Sequence, residues 1–210
     1  MSNYTYEFEN RNERLEQYEW DNVWWEQADI VSRARVLYVG DSISCQTRRI
    51  ATEVSKNTLL FDGFGTSKAV DNPYFPDSVK LFAKQASEYC AILFNSGLHG
   101  WHLDDGTEYK QNYEKMVQFF LKEFEGIPVI LVLTTAVSNQ ERNARVLARN
   151  KAVSEIAEAY DLPVIDLYGV TDSRRDLISA DGVHLSYDGY RLLACELVDG
   201  IKKVVDTDKL

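Results

Sequence analysis

Five short apolar runs, separated by stretches of helical periodicity, constrain the fold of this chain more than any other feature. The runs are rich in β-branched and aromatic residues and cover residues 36–39, 58–61, 89–95, 127–134 and 163–166. Strands that are apolar throughout are typical of a parallel sheet buried on both faces. Because they alternate with helical patterns, they indicate right-handed βαβ units. The sequence therefore predicts a single α/β domain over residues 35–210.

Amphipathic stretches fill the gaps between these runs. From Tyr109 to Phe124, apolar residues recur every three or four positions, which places them on one face of a helix. The same spacing predicts a helix over about residues 141–160 and a last helix after Ser186. The chain therefore carries enough helix to cover both faces of the predicted sheet.

A serine stands directly after the first apolar run, where Gly40 and Asp41 lead into Ser42. In α/β folds, ligands bind at the carboxyl ends of parallel strands, and Ser42 occupies such an end. Near the end of the chain, Asp181 precedes His184 by three residues, just before the last predicted helix. Serine hydrolysis requires a hydroxyl nucleophile, an imidazole base and a carboxylate that holds the tautomer of the imidazole. The sequence predicts that folding brings Ser42, Asp181 and His184 together as a catalytic triad.

Other assignments of these residues stay open in the sequence. Cys45 lies three residues after Ser42 and carries the other common nucleophile. Asp181 could serve only as a cap of the last helix. A metal site, for which histidine at short spacing is typical, could be formed by His99, His102, Asp104, Asp105 and His184.

Charge and cysteine content limit the partners and the compartment. The chain of 210 residues carries a formal net charge of −10, so it is repelled by the phosphates of nucleic acid and by anionic membrane surfaces. Its three cysteines, Cys45, Cys90 and Cys195, are widely spaced, which is typical of free thiols in a reducing compartment. Residues 1–10 are polar and acidic and lack the apolar core of a secretory signal. We therefore expect a cytoplasmic protein.

Residues 1–34 do not follow the alternation of strands and helices and are predicted to form an N-terminal arm. Trp20, Trp24 and Trp25 cluster there in an acidic stretch. The simplest interpretation is an arm whose aromatic side chains pack on the domain. The cluster also fits an aromatic wall near a substrate or a contact in a homodimer, and the sequence leaves these alternatives open.

The two motifs together resemble those of the GDSL, or SGNH, hydrolases. The sequence Gly-Asp-Ser-Ile at residues 40–43 is similar to block I of that family, and Asp181-x-x-His184 is similar to its final block. Their order agrees, and the strand pattern from Arg35 onward matches. The resemblance implies a flavodoxin-like three-layer α/β/α sandwich with five parallel strands in the order 2-1-3-4-5. It also implies the triad of Ser42, Asp181 and His184.

The resemblance further implies an oxyanion hole, with a departure in the middle of the chain. In this family the backbone N–H of the nucleophile, here Ser42, acts with that of a glycine after the second strand. Gly65 is the better match for that glycine, ahead of Gly63. The family then supplies an asparagine side chain, but His99 stands at the matching position. Asn95, at the tip of the third strand, is the competing donor.

The implied activity is that of a metal-independent serine esterase that works through an acyl-enzyme and requires no cofactor. Short loops without a large apolar lid favour a small-molecule ester with a small acyl group such as acetyl. Trp101 and His102 are predicted to line the mouth of the site, and Trp101 suits stacking on a sugar ring. The preferred substrate is therefore an acetylated carbohydrate or another small ester. The alternatives are an acyl-thioesterase or lipase-like hydrolase, and a catalytically silent binding domain.

Overall fold

A computed structural model of the chain describes residues 14–86, 88–103 and 107–206. The strands in these ranges are β1 (Asp21–Trp24), β2 (Ala34–Gly40), β3 (Leu59–Thr66), β4 (Ala91–Phe94), β5 (Val129–Val132) and β6 (Val164–Ile165). The helices are α1 (Ser42–Val54), α2 (Phe75–Ala83), α3 (Thr107–Glu123), α4 (Gln140–Ala159), α5 (Leu167–Asp172) and α6 (Tyr187–Val204). Short 3₁₀ helices cover Trp101–Leu103 and Arg175–Leu177. The predicted three-layer α/β architecture is confirmed.

One sheet contains all six of these strands, in the order β1-β3-β2-β4-β5-β6. The strands from β2 to β6 run parallel to their neighbours and follow the predicted order. β1 pairs antiparallel with β3, with Asp21 opposite Thr66 and Trp24 opposite Gly63. The predicted count of five strands is therefore too low by one. All four residues of β1 are exposed, so this strand lacks the apolar signal that marks the others.

Two apolar cores lie on the two faces of the sheet. Neighbouring residues of β2 alternate between them, because Val36 and Tyr38 face one core while Leu37 and Val39 face the other. Helices α1 and α6 cover the first core, α2 and α3 cover the second, and α4 contributes to both. Fully burying one Val or Leu side chain contributes about 1.5–3 kcal/mol. A shift in register by one residue would move each of these side chains into the opposite core, where the space is shaped for another residue, so close packing fixes how β2 pairs.

Short polar side chains begin the helices that border the site. Asp41 caps α1 by accepting from the N–H of Ile43, and Ser186 caps α6 by accepting from the N–H of Gly189. The first cap makes Ser42 the first residue of α1, where backbone N–H groups have no acceptor within the helix. The three predicted helices correspond to α3, α4 and α6 and are confirmed. The sequence analysis does not predict the shorter α2 and α5.

Residues 14–25, called here the N-terminal segment, lie along the loop that follows β3. The indole of Trp25 stacks on Phe82 of α2, with ring centroids 4.4 Å apart. The backbone N–H of Trp20 donates to Ser67 Oγ at 2.8 Å. Through β1, the segment is also part of the sheet. The predicted division of the chain into an arm and a domain stays a prediction.

Candidate active site

Three side chains from distant parts of the chain form one hydrogen-bonded series. His184 Nε2 lies 2.9 Å from Ser42 Oγ, and His184 Nδ1 lies 2.8 Å from Asp181 Oδ2. Ser42 begins α1 at the carboxyl end of β2, and His184 lies in the loop before α6. Because α1 and α6 pack together on one face of the sheet, residues 142 positions apart come into contact. The structure therefore brings together the three residues predicted for the triad.

A tight turn holds Asp181 against His184. Asp181 Oδ1 accepts from the backbone N–H groups of Val183 and His184, each at 2.9 Å. Gly182 has a φ of 80°, in the left-handed region that glycine tolerates. Burial alone would raise the pKa of Asp181, but these hydrogen bonds and the His184 ring outweigh it and lower the pKa below its usual value. The carboxylate therefore stays ionised beside the imidazole at neutral pH.

Ser42 and His184 open into a pocket of about 620 Å³. Its walls come from the N-terminal segment, from the first turns of α1 and from the region where α6 begins. The lining residues are Trp20, Asp21, Asn22, Ser42, Cys45, Gln46, His184, Leu185 and Tyr190. The sequence analysis includes Trp20 in its aromatic-wall alternative but misses Asp21 and Asn22. The sequence gives only a weak indication that Asp21 and Asn22 line a pocket, because polar residues beside a tryptophan are equally typical of an exposed arm.

Cys45 lies on the wall of this pocket, one helical turn after Ser42. Burial raises the pKa of its thiol to about 11, although the nearby Arg48 opposes the shift. The thiolate is the nucleophilic form of cysteine, and little of it forms at neutral pH. The imidazole of His184 faces Ser42 Oγ. These observations favour Ser42 over Cys45 as the nucleophile.

Strand β3 passes close beneath α1 at Gly65. A Cβ added there would lie 2.2 Å from Cys45 Sγ, so the packing of α1 explains this glycine. The N–H of Ser67 donates to the carbonyl of Trp20, and the alternation of an antiparallel ladder makes Gly65 and Asn22 the next hydrogen-bonded pair. The N–H of Gly65 therefore points towards β1 and away from Ser42. The oxyanion role of Gly65 stays a prediction, and this direction of its N–H does not support it.

Asn95 lies just past the end of β4, with its side-chain amide turned towards β5. Nδ2 donates to the carbonyl of Val132 at 2.8 Å and to Thr134 Oγ1 at 2.9 Å. These two bonds use both hydrogens of the amide. The prediction of Asn95 as an oxyanion donor is therefore wrong, because the amide joins two strand ends.

His99 is buried between the N-terminal segment and the start of α1. Its side chain is 3% exposed, and Nδ1 lies 2.9 Å from Glu16 Oε1. Its ring also makes an edge contact with Trp20, with centroids 5.8 Å apart. Burial raises the pKa of Asp41, the residue before Ser42, and the nearby His99 ring opposes that shift. His99 therefore lies next to Trp20, which lines the pocket of Ser42, and is held by a carboxylate that no sequence pattern predicts.

Trp101 and His102 lie away from the pocket. Trp101 is 3% exposed, and the guanidinium groups of Arg145 and Arg149 lie 4.4 and 4.8 Å from its ring centre. His102 Nε2 lies 3.1 Å from Asp71 Oδ2. Neither residue is among those that line the pocket of Ser42, and their substrate-binding role stays a prediction.

Among the residues that the structure describes, no group of three or more histidine, cysteine, aspartate or glutamate side chains could hold a metal ion. Asp104 and Asp105 of the metal-site alternative lie outside the described residues. Within the same ranges, no helix has the length and apolar character needed to cross a membrane.

The sequence profile of the GDSL-like Lipase/Acylhydrolase family matches residues 83–192, just over half of the chain. The chain belongs to this family. The resemblance found in the sequence is confirmed, and the chain is a GDSL-type hydrolase that acts on ester bonds. The matched stretch includes Asp181 and His184. Ser42 lies before it, so the assignment of Ser42 depends on the geometry described above.

Solved structures of GDSL-type hydrolases share this fold. A lipase/acylhydrolase from Enterococcus faecalis has a TM-score of 0.61 at 20% identity, covering 82% of this chain and 97% of that one. A G-D-S-L family lipolytic protein from Veillonella parvula has a TM-score of 0.65 at 17% identity, covering 79% and 97%. An acetyl xylan esterase has a TM-score of 0.62 at 18% identity, covering 79% and 98%. Identities this low show the fold alone. No curated protein matches the sequence of this chain.

Proposed function

We propose that this GDSL-type hydrolase is a serine esterase that removes small acyl groups, acetyl above all, through an acyl-enzyme. The observation that carries the proposal is the hydrogen-bonded series from Ser42 Oγ through His184 to Asp181 at the wall of an open pocket. A hydroxyl, an imidazole and a carboxylate in this order are the groups that nucleophilic ester cleavage requires.

The proposed reaction has two halves that use the same proton carrier. In the first, His184 Nε2 takes the proton of Ser42 as Oγ attacks the ester carbonyl. The bond to the alcohol then breaks, His184 returns the proton to the leaving oxygen, and the acyl group stays on Ser42. In the second half, His184 takes a proton from water as the water oxygen attacks the acyl carbon. The bond from that carbon to Ser42 Oγ then breaks, His184 returns the proton to Oγ, and the carboxylic acid leaves. Asp181 holds Nδ1–H throughout and stabilises the imidazolium.

The oxyanion formed on attack requires donors directed at the carbonyl oxygen. Ser42 supplies its backbone N–H in the first turn of α1, where the helix dipole also favours negative charge. We assign the second donor to His99, the buried ring that contacts Trp20 on the wall of this pocket. One donor of this kind lowers the barrier by about 3 kcal/mol.

The pocket suits a small polar alcohol better than a long alkyl chain. Trp20 contributes an aromatic side chain, while Asp21, Asn22 and Gln46 contribute hydrogen-bonding groups near the nucleophile. Sugar hydroxyls can add hydrogen bonds to such groups, whereas an alkyl chain offers them none. The similar fold of an acetyl xylan esterase supports an acetylated carbohydrate as the substrate class.

A thioesterase or lipase-like activity is the second candidate. Leu185 and Tyr190 form an apolar part of the same pocket, next to His184. An acyl chain of moderate length would pack against them. Hydrolysis rates measured with aryl esters of increasing acyl length separate the two candidates.

Covalent labelling tests the proposed nucleophile. A fluorophosphonate probe, which reacts with activated serine hydroxyls, is expected to label the full chain, with the adduct mapped to Ser42 by mass spectrometry. Ser42→Ala is expected to abolish both the label and ester hydrolysis, while Ser78→Ala, a matched change on α2, keeps both. A label on Cys45 would contradict the proposal. No label at all would instead indicate a silent binding domain.

A further inference from the structure

A second histidine–carboxylate pair lies next to Trp20, which lines the pocket of the proposed triad. Glu16 Oε1 lies 2.9 Å from His99 Nδ1, and the two side chains are 6% and 3% exposed. The residues are 83 positions apart, so the pair forms only when the N-terminal segment docks on the loop after β4. Glutamate is almost never buried this fully unless it is paired.

Arg149 of α4 holds the backbone of the same histidine. Its guanidinium donates to the carbonyl of His99 at 2.6 Å, to that of Gly100 at 2.7 Å and to that of Gly97 at 3.2 Å. The ring of His99 is thus held by Glu16 and its main chain by Arg149. Such fixing suits a hydrogen-bond donor, because preorganised donors stabilise a transition state without reorganising during the reaction.

The pairing decides which nitrogen of His99 carries a proton. With Glu16 ionised, Nδ1 donates its hydrogen to the carboxylate, and a neutral ring then has no hydrogen on Nε2. Nε2 becomes a donor only when the ring is an imidazolium. A carboxylate in contact with the ring favours that charged form.

We propose that Glu16 is a positioning residue that keeps His99 protonated and oriented, so that Nε2 donates to the oxyanion. The inference rests on the proposed esterase function and goes beyond it, because it makes the N-terminal segment part of the catalytic apparatus. Glu16 acts through His99 and touches neither the substrate nor the reacting atoms.

Charged groups reach His99 from three elements in the described part of the chain. Glu16 approaches from the N-terminal segment, Asp41 from the start of α1 and Arg149 from α4. Arg149 disfavours a second positive charge, but it is bound to backbone carbonyls. Burial raises the pKa of Asp41, which makes it a weaker source of negative charge. Glu16 is therefore the main support of the imidazolium.

The pH profile of kcat/KM tests this inference in the full chain, with an aryl acetate as the substrate and the released acid titrated at fixed pH. Since His99 must keep its second proton, the profile is expected to fall at alkaline pH. Glu16→Gln keeps the size of the side chain but removes its charge, so this fall is expected to move down by at least one pH unit. At pH values above the fall, where His99 has lost its second proton, kcat is expected to be about 10²-fold lower than on the plateau below the fall, while KM changes little.

Matched variants separate this role from a structural one. Glu19→Gln removes another carboxylate of the same segment, whose Oε2 accepts from Ser67 Oγ at 2.8 Å and whose Oε1 accepts from the backbone N–H of Glu16 at 3.1 Å. An amide oxygen can still accept from the Glu16 N–H, so the profile is expected to stay unchanged. Glu16→Asp keeps the charge and is expected to keep the alkaline fall in place. In His99→Asn the amide donates without titrating, so the fall disappears, and adding Glu16→Gln changes nothing further.

Two outcomes would overturn the role of Glu16 while leaving the esterase proposal intact. One is an alkaline fall that stays in place in Glu16→Gln. The other is an equal loss of activity from Glu16→Gln in the His99→Asn background. If the unmodified chain does not hydrolyse the ester, or if Ser42→Ala retains activity, the esterase proposal itself fails, and the inference fails with it.

Discussion

The two histidine–carboxylate pairs of the proposed active site are built in opposite ways. Asp181 and His184 are three residues apart in one turn, and their side chains are 43% and 34% exposed. Glu16 and His99 are 83 residues apart, and their side chains are 6% and 3% exposed. The distances between nitrogen and oxygen are nearly equal, at 2.8 and 2.9 Å. The same two chemical groups therefore sit in very different surroundings.

This difference in exposure agrees with the role of each imidazole in the proposed mechanism. His184 must exchange protons with the substrate and with water, which requires access to the pocket. His99 must keep one proton in one direction, which burial and a fixed carboxylate favour. Exposure, more than the identity of the partner, therefore distinguishes a proton carrier from a fixed donor.

The largest expected effect concerns the exposed pair. Asp181→Asn removes the charge that stabilises the imidazolium and favours the wrong tautomer of His184. We expect kcat to fall about 10⁴-fold, equivalent to about 5.5 kcal/mol, with a much smaller change in KM. Steady-state kinetics with an aryl acetate measures both. Near-normal kcat would reduce Asp181 to a helix cap, and Asp176 would be the next carboxylate to substitute.

The buried pair is expected to contribute more to the free energy of unfolding than the exposed pair does. Glu16→Ala leaves the ring of His99 without its carboxylate, and breaking a buried pair costs about 3 kcal/mol. Asp181→Ala breaks an exposed pair and is expected to cost less than about 1 kcal/mol. Urea unfolding of both variants measures the two free energies. Equal losses would show that exposure does not separate the pairs.

His99 itself gives the next effect. His99→Ala removes one proposed oxyanion donor and is expected to lower kcat about 10²-fold, or about 2.7 kcal/mol. His99→Asn is expected to recover part of this loss, because an amide N–H can serve the same oxygen. Asn95→Ala is the matched variant at the end of β4. It is expected to lower the free energy of unfolding by more than it raises the free-energy barrier of the reaction. The reverse result would return the donor role to Asn95.

The smallest expected effect concerns the acyl group. A pocket with polar groups near the nucleophile is expected to favour acetyl over octanoyl esters at least tenfold in kcat/KM, or about 1.4 kcal/mol. Rates measured across a series of aryl esters test this preference. A rate that rises with chain length up to octanoyl would favour the thioesterase or lipase-like candidate.

Much of the fold and the exposed pair could be predicted because their signals are local. Each buried strand is a short apolar run, and Ser42 follows the first of them directly. Asp181 and His184 lie in one turn, so their spacing alone brings them close. Once the sheet topology is known, both motifs are expected at the edge of the sheet where the parallel strands have their carboxyl ends.

The other parts of the site depend on contacts that no local pattern shows. Glu16 is one acidic residue among several in its stretch, and only the docked segment selects it. The directions of the Gly65 N–H and of the Asn95 amide depend on strand pairing, not on residue type. A tryptophan such as Trp101 can stack on a sugar ring, but the guanidinium groups of two arginines of α4 cover this one.

The edge position of β1 also affects the order in which the strands of the sheet form during folding. Asp21 and Thr66 are 45 residues apart, whereas β2 and β3 pair over a shorter loop. Closing the longer loop loses more chain entropy, and the four exposed residues of β1 gain little by burial. We expect β1 to join a sheet that already exists. Since β1 precedes β3 in the sequence, the ribosome releases β1 earlier, and β1 docks only after its partner strand has been synthesised.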